Sequence, residues 1–148
     1  METKKIAIGA DHAGYELKEK IKNVLSELDY EIIDFGTNST DSVDYPLVAK
    51  ALATQVANKT PNKGILICGT GIGMSIAANK IKGIIAALCT NIEAAKLARK
   101  HNNSNILTIG GRTTDPDTAK EIVKAWLETD FEGGRHQRRV QEIRELEK

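Results

Sequence analysis

The sequence predicts an α/β fold, a three-layer α/β/α sandwich around a five-stranded parallel Rossmann-like sheet, and three observations carry that reading. Short aliphatic runs recur at Ile6–Ile8, Ile32–Phe35, Ile65–Ile67, Ile84–Leu88 and Ile106–Ile109. Stretches with apolar residues at helical spacing separate them. The 148 residues suit one compact domain, read as 1–148, able to bury roughly two thirds of its unfolded surface. Such alternation implies right-handed crossovers but leaves the strand order open.

The elements follow in order. After the first run, Leu17, Ile21, Leu25 and Leu28 fall on one face of a helix. The second run leads into Gly36 to Asp44, rich in Thr, Ser, Asn and Asp, which reads as a surface loop; Pro46 suits the first turn of the next helix. Gly64-Ile65-Leu66-Ile67 is aliphatic throughout, as a buried parallel strand should be, and Ile76-Ala77-Ala78-Asn79-Lys80 further on reads as helix. Asp115-Pro116 reads as an N-cap and an N1 proline before Ala119, Ile122, Val123, Trp126 and Leu127. Beyond Gly133-Gly134, residues 133–148 form an extended C-terminal helix whose stripe Val140, Ile143 and Leu146 is expected to pack on a partner subunit.

Composition narrows the function. Hydrophobic residues make up 41% and charged residues 28% of the chain, ordinary for a globular protein. A net charge of +1 leaves no field to hold DNA or an anionic bilayer, so no nucleic-acid and no membrane partner is expected. No apolar run approaches the roughly 20 residues that span a bilayer, and Met1-Glu2-Thr3-Lys4-Lys5 lacks a following h-region, so the expected location is cytoplasmic. Cys68 and Cys89 form neither a CxxC pair nor a zinc-ligand cluster. They suit a reduced compartment.

In an open α/β sheet, ligands bind beyond the carboxyl ends of the strands. The polar residues near strand ends are Asp11 and His12, then Cys68 to Gly73, then Gly110-Gly111-Arg112, with His101-Asn102 ending the helix before the fifth strand. These segments are expected to converge on one edge. The glycines of Gly69-Thr70-Gly71-Ile72-Gly73 allow a tight turn that exposes amide hydrogens at a helix N-terminus, a cradle for a phosphate or a developing oxyanion. The Walker Gly-Lys-Ser/Thr ending is absent, and the third glycine comes one residue early for GxGxxG, which disfavours a nucleotide.

Individual residues keep two readings. Cys68 is either a small buried hydrophobe or, beside helix-terminal amides, a base or nucleophile; Cys89 lacks that setting and reads as structural. His12 and His101 suit proton exchange near neutral pH or simple surface and capping roles. Asp11 contacts a ligand or caps the helix that begins near Gly14. Arg135 and Arg139, one helical turn apart, suit a phosphate or a solvated face.

Gly9-Ala10-Asp11-His12-Ala13-Gly14, Cys68-Gly69-Thr70-Gly71-Ile72-Gly73, His101-Asn102 and Gly133-Gly134-Arg135-His136-Gln137, with Asp44-Tyr45-Pro46 and Ser75 to Lys80, occur here in one order. In these motifs the chain resembles the ribose-5-phosphate isomerase B family from Lys5 to the final helix. The resemblance implies an aldose-ketose isomerase of the pentose phosphate pathway, acting through a cis-enediolate. Cys68 would be the base, His101 would open the furanose ring, and Thr70 with the turn Gly69, Gly71, Ile72 and Gly73 would hold the enediolate. Asp11, His12 and Asn102 would contact the sugar, while Arg112, Arg135 and Arg139 would hold the phosphate. It further implies no metal, no organic cofactor, and a homo-oligomer, dimer or tetramer, with the site shared between subunits. Asn103, where relatives often carry Asp, and Arg138, where Gln is common, depart from the pattern. A hexose 6-phosphate isomerase and a non-catalytic phosphosugar-binding module are the rival readings.

Overall fold

The computed structural model describes residues 4–147. Five parallel strands form one sheet: β1 (Lys4–Ala10), β2 (Tyr30–Asp34), β3 (Gly64–Cys68), β4 (Ala86–Leu88) and β5 (Ile106–Gly110), in the order β2-β1-β3-β5-β4. Four helices join them, α1 (Tyr15–Glu27), α2 (Tyr45–Ala57), α3 (Ile72–Asn79) and α4 (Ile92–Lys100), and α5 (Pro116–Glu128) and α6 (Arg135–Arg144) follow β5. The expected α/β class and parallel sheet are what the structure shows.

Burial explains the placement of each strand. β3 and β5 are buried along their whole length because helices cover both faces of a central parallel strand, whereas β2 is an edge strand and only half-buried. On one face α2 and α3 bring Val48, Leu52, Met74 and Ala78 against Leu66 and Ile106. On the other, α1, α4 and α5 close over Ile8, Ile67 and Leu107 with Leu17, Ile21, Ala95, Ile122 and Trp126. The indole Nε1 of Trp126 donates to Ser104 Oγ at 2.8 Å, so this largest buried side chain leaves no polar atom stranded.

Several boundaries differ from the sequence reading. β4 begins at Ala86, because Asn105 accepts the Ile85 amide on its side chain and takes the Ile85 carbonyl with its own N–H, so Ile84 and Ile85 serve a loop bond before the ladder starts. The last helix covers Arg135–Arg144, and its Val140 is buried at 2% exposure within its own chain. Ile143 and Leu146 alone of the expected stripe stay exposed. The two capping expectations match: Pro46 lies in the first turn of α2, and Asp115 accepts the Asp117 and Thr118 amides ahead of Pro116.

One charged residue sits where the helical periodicity of α1 gave no warning. Lys18 is fully buried, and its Nζ donates to both carboxylate oxygens of Asp34 at 2.8 Å, tying α1 to the end of β2. Burial alone would raise the Asp34 carboxyl, but hydrogen bonds from Lys18, Lys22 and the Gly36 amide outweigh it and hold the group below the usual carboxylate range. Among the described residues no helix is long and apolar enough to cross a membrane.

Candidate active site

Connections leave β1 and β3 in opposite directions across the sheet, so a crevice opens at their carboxyl ends. Asp11, Tyr45, Cys68, Gly69, Thr70, Ile72, Gly73 and Ile76 line an open cleft there of about 380 Å³. Cys68 ends β3 with 4% of its surface exposed, and its Sγ accepts the Gly71 amide at 3.2 Å. Gly71 has φ +79°, and a Cβ there would lie 2.6 Å from Leu88 Cδ1 and 2.8 Å from the Ile109 carbonyl carbon. Only glycine turns the chain this sharply beside β5.

The turn also distributes its hydrogen bonds usefully. Thr70 Oγ1 accepts the Ile72 amide at 3.1 Å in the turn before α3, and a hydroxyl that accepts keeps its own O–H available as a donor. The Gly73 and Met74 amides stand at the open end of α3, where a helix lacks internal acceptors. A cysteine sulfur, a hydroxyl and unpaired amides thus face one cleft, an arrangement able to move a proton and to stabilise an oxyanion.

Asp11 does not cap α1 itself: its Oδ1 accepts the Ala13 and Gly14 amides at 3.0 and 3.1 Å, closing the turn that leads into the helix. It still lines the cleft with its remaining edge. His12 Nδ1 accepts the Val43 amide at 3.2 Å, which anchors the loop after β2 over the end of β1 and puts the proton of the neutral ring on Nε2. Arg112, exposed, lies along the same turn, its amide donating to the Gly69 carbonyl at 2.9 Å.

The expected convergence of all segments on one edge does not hold within a single chain. α4 begins just after β4 and runs back to the start of β5, so His101 and Asn102 lie at the amino edge of the sheet. The five residues of β5 separate that edge from the cleft by roughly 16 Å. α6 lies along the same amino edge: His136 stacks on His101 with ring centroids 4.2 Å apart and planes 14° apart, and Arg144 reaches the Gly83 carbonyl at 3.5 Å. Arg135 and Arg139, exposed on α6, therefore accompany His101 and do not line the Cys68 cleft. The signal was available, because a residue between a crossover helix and its next parallel strand always falls at the amino edge.

Other groups are clarified. Tyr45 lines the cleft, although the Asp44-Tyr45-Pro46 motif carried no site role in the sequence reading; its ring lies so close to Gly73 that a Cβ there would stand 2.6 Å from Tyr45 Cε1. Cys89 is buried, and burial pushes its thiol up to about 11, in keeping with a structural role. Asn103 Oδ1 accepts Arg99 Nη1 at 3.0 Å, and Arg138 pairs with Glu142 at the surface. Donor atoms of His101, Glu132 and His136 lie within 4.8 Å of one another. Stacked imidazoles suit a metal poorly, since their in-plane lone pairs run side by side instead of converging at about 2.1 Å.

The fold and cleft together define a parallel α/β protein with a cysteine sulfur and an anion cradle at the carboxyl edge of its sheet. The chain belongs to the ribose/galactose isomerase family, whose pattern it matches over residues 6–143. It is 49% identical over 144 residues to the ribose-5-phosphate isomerase B of Escherichia coli (strain K12), covering 97% of each chain. It is 43% identical to the D-erythrulose-4-phosphate isomerase of Pectobacterium atrosepticum, covering 93% of this chain and 91% of that one. Among solved structures it is similar to Clostridium thermocellum ribose-5-phosphate isomerase B, with 50% identity, 97% of each chain covered and a TM-score of 0.95. Ribose-5-phosphate isomerase B from Mycoplasma genitalium, solved with bound ribulose-5-phosphate, is 41% identical, with 97% of this chain and 95% of that one covered and a TM-score of 0.93.

Proposed function

We propose that this chain interconverts ribose 5-phosphate and ribulose 5-phosphate in the cytoplasm, as a single-domain protein in a homo-oligomer. The observation that carries the reading is the Gly71 amide donated to Cys68 Sγ at the wall of the cleft. A sulfur held against a helix-terminal N–H is placed to act as a base. On the open-chain aldose, Cys68 takes the proton from C2; the electron pair forms the C1–C2 double bond and the carbonyl π electrons move to O1. The cis-enediolate accepts hydrogen bonds from the Thr70 hydroxyl and the α3 amides. The proton returns to C1, the hydroxyl proton passes from O2 to O1, and the ketose results.

The ring-opening and phosphate groups come from a second copy. His101, Asn102, Arg135 and Arg139 stand on the edge opposite Cys68, so a subunit with its amino edge against the cleft completes the site. Exposed Leu47, Ile72 and Ile76 around the cleft supply apolar surface for that contact. Asp11 and His12 contact the sugar from the first subunit, and Arg112 assists with the phosphate.

The substrate is tested by comparing turnover of ribose 5-phosphate with that of allose 6-phosphate, galactose 6-phosphate and erythrulose 4-phosphate on the purified protein. Ribose 5-phosphate is expected to give the highest kcat/KM. A preference for a six-carbon or four-carbon sugar would reassign the substrate, and binding without turnover of any would leave a phosphosugar-binding module.

A further inference from the structure

Resting on the reading of His101 as the ring-opening group, we infer that His136 is a positioning residue that holds the His101 imidazole by face-to-face stacking. The two rings lie 4.2 Å apart at 14°. The segment bearing His136 is locked to the end of α4 by the Glu132 amide, which donates to the Lys100 carbonyl at 3.1 Å. Gly133 and Gly134, at φ +71° and +56°, then turn the chain so that α6 starts with His136 facing inward. A side chain carrying a shape function fits this environment: His136 is 7% exposed, and its buried Nε2 has no hydrogen-bond partner. Glu132 Oε1 is its nearest carboxylate oxygen, at 3.9 Å.

Charge supports the same role. Burial lowers the His136 pKa, and His101 from α4 with Arg135 and Arg139 from α6 lower it further against the opposing pull of Glu132. His136 therefore stays neutral while its neighbour exchanges protons. Opening a furanose breaks the C1–O4 bond: O4 takes a proton, the O1–H gives one up, and the C1 aldehyde forms. His101 serves one of these transfers, and a stacked neutral ring fixes which way its nitrogens point. Loss of the stack frees that torsion and misplaces the proton.

The test uses the assembled protein and two readouts. Isomerisation of ribose 5-phosphate requires ring opening. Deuterium exchange at C1 of ribulose 5-phosphate does not, because esterified O5 cannot close a furanose. His136→Ala is expected to lower ribose 5-phosphate turnover about tenfold or more while exchange stays within about twofold. His136→Phe, which keeps a flat ring, is expected to restore most of that turnover. Equal loss of both activities, unaltered turnover, or a folded His136→Phe protein that fails to rescue would each overturn the inference. His101→Asn tests the underlying reading separately: undiminished turnover of ribose 5-phosphate there would remove His101 from the reaction and the positioning role with it.

Discussion

Cys68 closes β3 at the carboxyl edge of the sheet, and His101 closes α4 at the amino edge of the same sheet. The sulfur proposed to transfer the proton and the imidazole proposed to open the ring are thereby separated, within one chain, by the length of a strand. Any site that uses both must draw them from two chains.

Mixed subunits test this directly. Cys68→Ala and His101→Asn homo-oligomers should each isomerise ribose 5-phosphate poorly. Refolded together, random dimers should regain about a quarter of wild-type activity, since half are mixed and each mixed dimer has one intact site. Activity in the mixture no higher than in its parents would place both groups in the same subunit's site.

The proposed base is tested with Cys68→Ala alone. Turnover should fall by about two to four orders of magnitude. Ribulose 5-phosphate should still protect the protein against thermal unfolding, because the amides and arginines remain. Deuterium exchange at C1 measured by NMR should fall in parallel. Near-normal exchange would show that another group moves the proton.

The Gly71 turn is a backbone requirement. Gly71→Ala places a Cβ at φ +79° against Leu88 and the Ile109 carbonyl, at a cost of about 1–3 kcal/mol. Chemical denaturation should report that loss, and kcat should drop as the amide leaves Cys68 Sγ. A variant with unchanged stability and kcat would contradict the geometry.

Asp34 sets a pH limit on stability. Its carboxyl titrates lower in the folded protein than in the unfolded chain, so its contribution is present above the unfolded value and is lost as pH falls through the lower folded value. Asp34→Asn removes the carboxylate hydrogen-bonded to buried Lys18, leaving it only Glu19 at 3.5 Å, and should destabilise the protein by about 3 kcal/mol at neutral pH. Urea melts should show the variant's deficit shrinking on acidification below about pH 4. A deficit that stays constant down to pH 2 would separate it from the Lys18 pair.

Much of the fold was readable because local exposure repeats with the element. Ile65, Leu66 and Ile67 form an unbroken apolar run since β3 is covered on both faces, and Leu17, Ile21 and Leu25 recur at helical spacing since α1 buries one face. Lys18 escaped that logic: its partner Asp34 is sixteen residues away, and only the approach of α1 to the end of β2 brings the charges together. Tyr45 escaped it too, joining the cleft through its contact with Gly73 across the α2–α3 face.

By itself the sequence determined the strands, the helices with one buried face, and the tight glycine turn after Cys68, because periodicity and glycine spacing record local backbone and solvent contact. Tertiary structure decided the strand order, the aim of the Gly71 amide at Cys68, the stacking of His136 on His101, and the edge on which each candidate group stands. Those outcomes depend on crossovers and close approaches between segments far apart in the chain, which no local pattern encodes.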